Sequence, residues 1–179
     1  MFISKKSGAS GFTVIELMIT IAVAAVILTL GIPSFQGLME RNQLTANINN
    51  FVSSLALARS EAIKRNLPVA LCASNNGENC SGGGYESGWI VYVNRNSDGN
   101  RDNNEELLWV SEALPANLTL RGNGCCSTNI PYTPSGQIAG ISGSISLCKN
   151  NQTEKSRQIA ISTTGRVRLK SGDSSFCTI

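Results

Sequence analysis

The chain has 179 residues, with 15 Lys and Arg against 12 Asp and Glu and no His. That length suits one compact domain plus an anchoring helix, and a net charge of +3 is too small to argue by itself for a polyanionic partner. The absence of His removes the commonest general base and the commonest metal ligand. No Lys or carboxylate constellation stands out as a base for a nucleophile, so neither catalysis nor a cofactor is expected.

Residues 1–11 are short and polar and carry Lys5 and Lys6; residues 12–32 read FTVIELMITIAVAAVILTLGI. This apolar run is about the length that spans a bilayer as a helix. The lysines precede it, which places the N-terminus on the cytoplasmic side and the rest of the chain outside. A secretory signal ends in a small-residue cleavage site after its apolar run. Here Pro33-Ser34-Phe35 follows instead, so the run is expected to stay on the mature protein. One charge lies inside it, Glu16, and a carboxylate in lipid is costly without a partner.

Apolar residues continue at Leu38, Leu44, Ile48, Phe51, Val52, Leu55, Ala58, Ala62 and Ile63. This spacing of mostly three or four predicts an amphipathic helix over 34–66, ended by Asn66-Leu67-Pro68. From Pro68 the period switches to two and turn residues multiply. Strands are predicted at Val69–Ala73, Trp89–Asn94, Leu107–Ser111, Leu118–Arg121, Ile145–Lys149, Arg157–Ser162 and Arg166–Lys170. The fold class is therefore α+β: a long N-terminal α-helix, transmembrane over 12–33 and amphipathic over 34–66, packed on an antiparallel β-sheet head over 67–179.

Six Cys, at 72, 80, 125, 126, 148 and 177, form an even set with irregular spacing, which points to disulfides in an oxidising compartment. Fifteen pairings are available. Cys72 with Cys80, across a short Gly/Asn-rich loop, and Cys148 with Cys177, tying down the C-terminus, are the expected bridges. Cys125 with Cys126 would make a strained vicinal bridge, the alternative being free thiols. No CxxC pair exists, and no metal site is expected.

The segment Gly11-Phe12-Thr13-Val14-Ile15-Glu16 resembles the type IV prepilin signature. The resemblance implies cleavage of leader 1–11 between Gly11 and Phe12 by a prepilin peptidase, with methylation of the new N-terminal Phe12. It also implies that Glu16, the fifth mature residue, pairs with the N-terminal ammonium of a neighbouring pilin. Pairing across subunits removes the cost of two buried charges only in the right axial register. Two internal segments, Ala58-Arg59-Ser60-Glu61-Ala62-Ile63-Lys64-Arg65-Asn66 and Gly88-Trp89-Ile90-Val91-Tyr92-Val93-Asn94 with Asp98-Gly99, resemble the minor pilins of the GspH/FimT family. The resemblance implies a type IV pilin fold, a single-pass position in the bacterial inner membrane with the head in the periplasm, and a later place in a surface pilus.

The candidate binding site is the segment Gly165-Arg166-Val167-Arg168-Leu169-Lys170. On a strand, Arg166, Arg168 and Lys170 share one face, about 7 Å apart, a spacing that can bridge successive phosphates. Guanidinium groups suit phosphate bidentately. Charge is segregated along the chain: 67–148 carries three basic and seven acidic residues, whereas 149–179 carries six basic and two acidic. Such a basic patch is the footprint of a local polyanion site. Gly165, Arg166, Val167 and Arg168 also match the G-R-x-R motif of FimT-type pilins, which implies non-specific binding of double-stranded DNA during natural transformation. Arg157 and Lys155, on a neighbouring element, are secondary candidates. The alternative is a structural pseudopilin of a type II secretion system that binds no nucleic acid.

Two further features carry weaker signals. Asn94–Glu105 matches an EF-hand loop at positions 3, 5, 6, 9 and 12, with Asn at position 1. Strands flank it where helices are needed, and Arg95 and Arg101 lower its charge, so a polar hairpin turn is the expected reading. Trp89, Tyr92 and Trp109 could stack bases, but Trp89 and Trp109 are expected to pack against each other across their hairpin.

Overall fold

The structure is a computed structural model that describes residues 11–150, 152–171 and 177; the side chains of 30–34, 153–155 and 171 lie outside the description. Helix α1 runs Val14–Arg65. Thr13 caps its start, the Glu16 N–H donating to Thr13 Oγ1 at 3.3 Å. An acidic residue in that first turn complements the positive end of the helix dipole. The C-terminal stop is a Schellman motif. Asn66 takes φ 53°, its N–H donates to the Ile63 carbonyl at 3.3 Å, and the Leu67 N–H donates to the Ala62 carbonyl at 3.3 Å. Pro68 then prevents continuation.

The chain divides into two compact units, one ending at Glu40 and the other beginning at Arg41. In the first unit every described side chain from Phe12 to Thr29 is exposed. Among the described residues no helix is long and apolar enough to cross a membrane.

The second unit holds the rest of α1 and eight strands: β1 (Val69–Ala73), β2 (Trp89–Val93), β3 (Leu107–Ser111), β4 (Leu118–Gly124), β5 (Asn129–Tyr132), β6 (Gly143–Lys149), β7 (Gln152–Ile161) and β8 (Val167–Ser171). They form two four-stranded sheets, ordered β3-β2-β1-β5 and β4-β6-β7-β8; the named strand pairs are antiparallel. The helical stripe Leu44, Ile48, Phe51, Leu55, Ala58 and Ala62 is buried against residues of both sheets. At its centre Phe51 meets the rings of Tyr85 and Trp89 edge-on, at 5.2 and 5.1 Å between centroids, a favoured aromatic geometry. The Trp89 Nε1–H donates to Ser54 Oγ at 2.9 Å.

Strands β1 and β2 are buried on both faces. Their inner residues join the main core, while Ala70, Cys72, Ile90 and Tyr92 form a second cluster on the outer face, packed by Cys80 and Leu107. The Cys72–Cys80 disulfide brings Cys80 there. Cys148 and Cys177 are bridged as well.

Several details depart from expectation. Strand β5 was not anticipated: it is four residues long and contains Pro131, a combination tolerated at a sheet edge because proline cannot donate to a ladder. Trp109 does not pack on Trp89. The β2–β3 register sets Trp109 opposite Val91 and Trp89 opposite Ser111, with a shift between Val91 and Tyr92, and Trp109 stays 46% exposed. Cys125 and Cys126 are free thiols, not a bridge. Adjacent Cα atoms stand about 3.8 Å apart across a trans peptide, closer than the 4.4–6.8 Å usual for a disulfide.

Candidate functional site

The basic strand begins at a tight turn. The Gly165 N–H donates to the Ser162 carbonyl at 2.8 Å, and the Ser162 N–H donates to the Arg166 carbonyl at 3.0 Å. Gly165 is buried with φ +75°, and a Cβ there would stand 2.1 Å from the Gly136 carbonyl oxygen. Only glycine meets both demands. The first residue of the G-R-x-R segment thus serves the backbone.

A helix side chain holds this turn from below. Arg59 Nε donates to the Gly136 carbonyl at 2.9 Å and Arg59 Nη2 to the Thr164 carbonyl at 3.1 Å. Arg59 therefore ties the β7–β8 turn to the segment after β5. Sequence reasoning did not single it out. The available signal was helical spacing, since position 59 stands four residues from both Leu55 and Ile63 and so borders the apolar stripe.

Beyond the turn, Arg166, Arg168 and Lys170 are all exposed. They line one open groove of about 640 Å³. The β7–β8 register places Ala160 beside Arg168 and Gln158 beside Lys170, and the β6–β7 register adds Ser144 and Ser146 on the same face. The floor beneath the cations is thus small and polar. Val167 turns the other way and packs on the main core. Leu169 lies on Val167's side of the strand but remains 60% exposed. Among the described residues none of the three cations forms an ion pair. Arg121, also on this outer face by register with Ser146, is neutralised by Glu86 at 2.5 Å.

The secondary candidates separate from this set. Arg157 stands opposite Leu147 on one side and Ser171 on the other. That register gives it the face of Ile159 and Ile161, opposite to Arg168 and Lys170. The structure therefore does not bring Arg157 into the groove. The Lys155 side chain lies outside the described residues, as do residues 1–10 of the leader.

At the far end of β4, Gly143 and Asn123 border the groove, and both free thiols sit near Gly143. Cys126 is buried and Cys125 half-buried. A hydrogen bond between them holds the Cys125 thiol below the ordinary range. The same bond, and then burial, pushes the Cys126 thiol up. The Tyr85 hydroxyl donates to the Cys126 carbonyl at 3.1 Å, pinning this turn. Among the described residues no set of three Cys, Asp or Glu side chains stands ready to hold a metal.

The family of Type II transport protein GspH matches residues 47–165, and the prokaryotic N-terminal methylation motif matches residues 6–32. The first match ends at Gly165, so Arg166, Arg168 and Lys170 lie just beyond it. No curated protein matches the chain. Among solved structures, the type IV minor pilin FimU of Pseudomonas aeruginosa is similar at 21% identity and TM-score 0.57, covering 77% of this chain and 94% of that one. The minor pseudopilin EpsH of the Vibrio cholerae type 2 secretion system is similar at 14% identity and TM-score 0.51, covering 72% and 96%. Both share the helix-on-antiparallel-sheet architecture, and both are structural subunits rather than enzymes. With two thirds of its length in the GspH match and a methylation motif ahead of it, the chain belongs to the GspH family of minor type IV pilins and pseudopilins.

Proposed function

We propose that this minor pilin binds double-stranded DNA through the β8 groove, as a DNA-capturing subunit of a type IV pilus in natural transformation. The observation that carries the reading is the set of three exposed cations on one strand face, Arg166, Arg168 and Lys170, without an ion pair among the described residues, over a small polar floor. Contacts of this kind follow the phosphate backbone and read no bases. One copy binds weakly, and several subunits in a filament add avidity.

The N-terminal half fits the same reading. Prepilin peptidase cleaves after Gly11, Phe12 becomes the methylated N-terminus, and the apolar run anchors the subunit in the inner membrane before assembly. Exposed side chains from Phe12 to Thr29 are then covered by lipid or by other pilins, and Glu16 pairs with a neighbour's N-terminus. The second reading, a structural pseudopilin of a secretion system, draws support from the fold similarity to EpsH.

Titration of the full chain in neutral detergent against a random-sequence duplex separates the two. Three phosphate contacts give a salt slope of about −2.7, so affinity falls roughly 40-fold between 50 and 200 mM salt. The Arg166→Ala/Arg168→Ala variant should keep its fold and lose about two units of that slope. Absence of binding by the wild type at low salt refutes the DNA reading and leaves the pseudopilin role.

A further inference from the structure

The loop between β2 and β3, Asn94–Glu105, reads Asn-Arg-Asn-Ser-Asp-Gly-Asn-Arg-Asp-Asn-Asn-Glu. Oxygen-bearing side chains fall at positions 1, 3, 5, 9 and 12 and glycine at 6, the order in which a twelve-residue calcium loop wraps its ion. Sequence alone favoured a polar turn, because strands flank the loop and two arginines dilute its charge. The environment of the oxygens points further.

Asn94, the position-1 residue, is 2% exposed, and its Oδ1 has no hydrogen-bond partner. Tyr92, two residues earlier on the outer face of β2, is 0% exposed, and its hydroxyl is also unpartnered. Buried oxygens left without partners are rare and costly, and they call for an unseen water or ion.

The carboxylates tell the same story. Glu105 is 3% exposed. Its oxygens accept the N–H of Arg95 at 2.6 Å and of Asp102 at 3.1 Å. Among the described residues no ion pair reaches Glu105, Asp98 or Asp102. A buried carboxylate without a cation is expensive. Asp98 Oδ2 and Asp102 Oδ2 both lie 3.0 Å from Asn96 Nδ2, so two carboxylates converge on one point. Turning the Asn96 amide over presents its oxygen to that same point, at the cost of the bond that Asn96 Oδ1 accepts from the Asp98 N–H at 3.2 Å.

We propose that the Asn94–Glu105 loop binds a calcium ion through Asp98, Asp102 and the side-chain oxygens of Asn94 and Asn96, with Glu105 closing the shell. The acids do not stand as a three-carboxylate set beforehand, so amide oxygens complete the shell and the loop tightens around the ion. Calcium tolerates six to eight oxygens in irregular geometry, whereas magnesium demands a near-ideal octahedron. Arg95 and Arg101 keep the affinity low, on the order of 10⁻⁴–10⁻³ M, the range of extracellular modules. This site is separate from the β8 groove and does not depend on DNA binding.

The test uses the full chain in neutral detergent, stripped with a chelator and titrated with calcium chloride in a calorimeter. One site with a dissociation constant below about 1 mM, and a melting temperature several degrees higher in calcium than in equal magnesium, is the expected result. Asp98→Asn/Asp102→Asn should weaken binding at least about tenfold, by removing two charged ligands. Asn94→Asp, which supplies the usual position-1 carboxylate, should tighten it about tenfold. The proposal is overturned by no calcium binding up to about 10 mM, by an equal magnesium shift, or by unchanged affinity in Asn94→Asp.

Discussion

The two sheets of the head face solvent in opposite ways. The sheet β3-β2-β1-β5 is covered on both faces around β1 and β2, by helix α1 within and by the cluster around the Cys72–Cys80 bridge without. The sheet β4-β6-β7-β8 is covered by the core on its inner face but opens along β8, where Arg166, Arg168 and Lys170 stand exposed over Ser144 and Ala160. The difference follows from alternation. Strands β1 and β2 are apolar at nearly every position and need two cover layers, whereas β8 alternates and needs one. One sheet can therefore act as a rigid support while the other leaves a cationic face open to solvent.

Breaking the covered side should cost the most. Phe51→Ala removes the ring that Tyr85 and Trp89 pack against and should lower unfolding free energy by about 3–5 kcal/mol, measured by denaturant titration. The Cys72→Ala/Cys80→Ala pair opens a bridge of sequence separation 8 and should cost about 2–3 kcal/mol. Retention of full stability there would mean that the outer cluster holds itself. Arg59→Ala removes two charged hydrogen bonds beneath the β7–β8 turn. It should cost about 1–3 kcal/mol and weaken the proposed DNA binding even though Arg59 lies outside the groove lining. Arg59→Lys should recover little, because a point charge cannot bridge two carbonyls as a fork does.

Changes on the open side should leave stability nearly untouched. Arg166→Ala/Arg168→Ala is expected to stay within about 0.5 kcal/mol of the wild type while losing the proposed duplex binding, and a large destabilisation would contradict the picture of a solvated face. The smallest effect concerns the thiols. Because the Cys125 thiol is held below the ordinary range, its reactive thiolate persists at lower pH than in an unfolded chain and disappears only as pH falls through the depressed value. Alkylation followed by mass spectrometry should label Cys125 ahead of buried Cys126 at neutral pH; equal labelling would show that the turn is open.

Much of this was legible in local pattern. The stop at Asn66-Leu67-Pro68, seven of the eight strands and the Cys72–Cys80 disulfide follow from capping chemistry, alternation and short-loop spacing, which act between near neighbours. Strand β5 was hidden because four residues around Pro131 carry no alternation signal, and its pairing with β1 depends on residues some sixty positions away. Arg157 misled for a related reason. A basic residue on a neighbouring strand looks like an ally until the register shows which face it takes, and one residue of offset reverses that face.

By itself the sequence determined that an apolar, Glu16-bearing helix leads into a two-period head with a cationic strand, because hydrophobic spacing and charge are properties of the chain. Only the tertiary structure decided which cations share a surface and which oxygens are left buried without partners. Those are properties of register and burial, set by strands that meet far from one another in sequence.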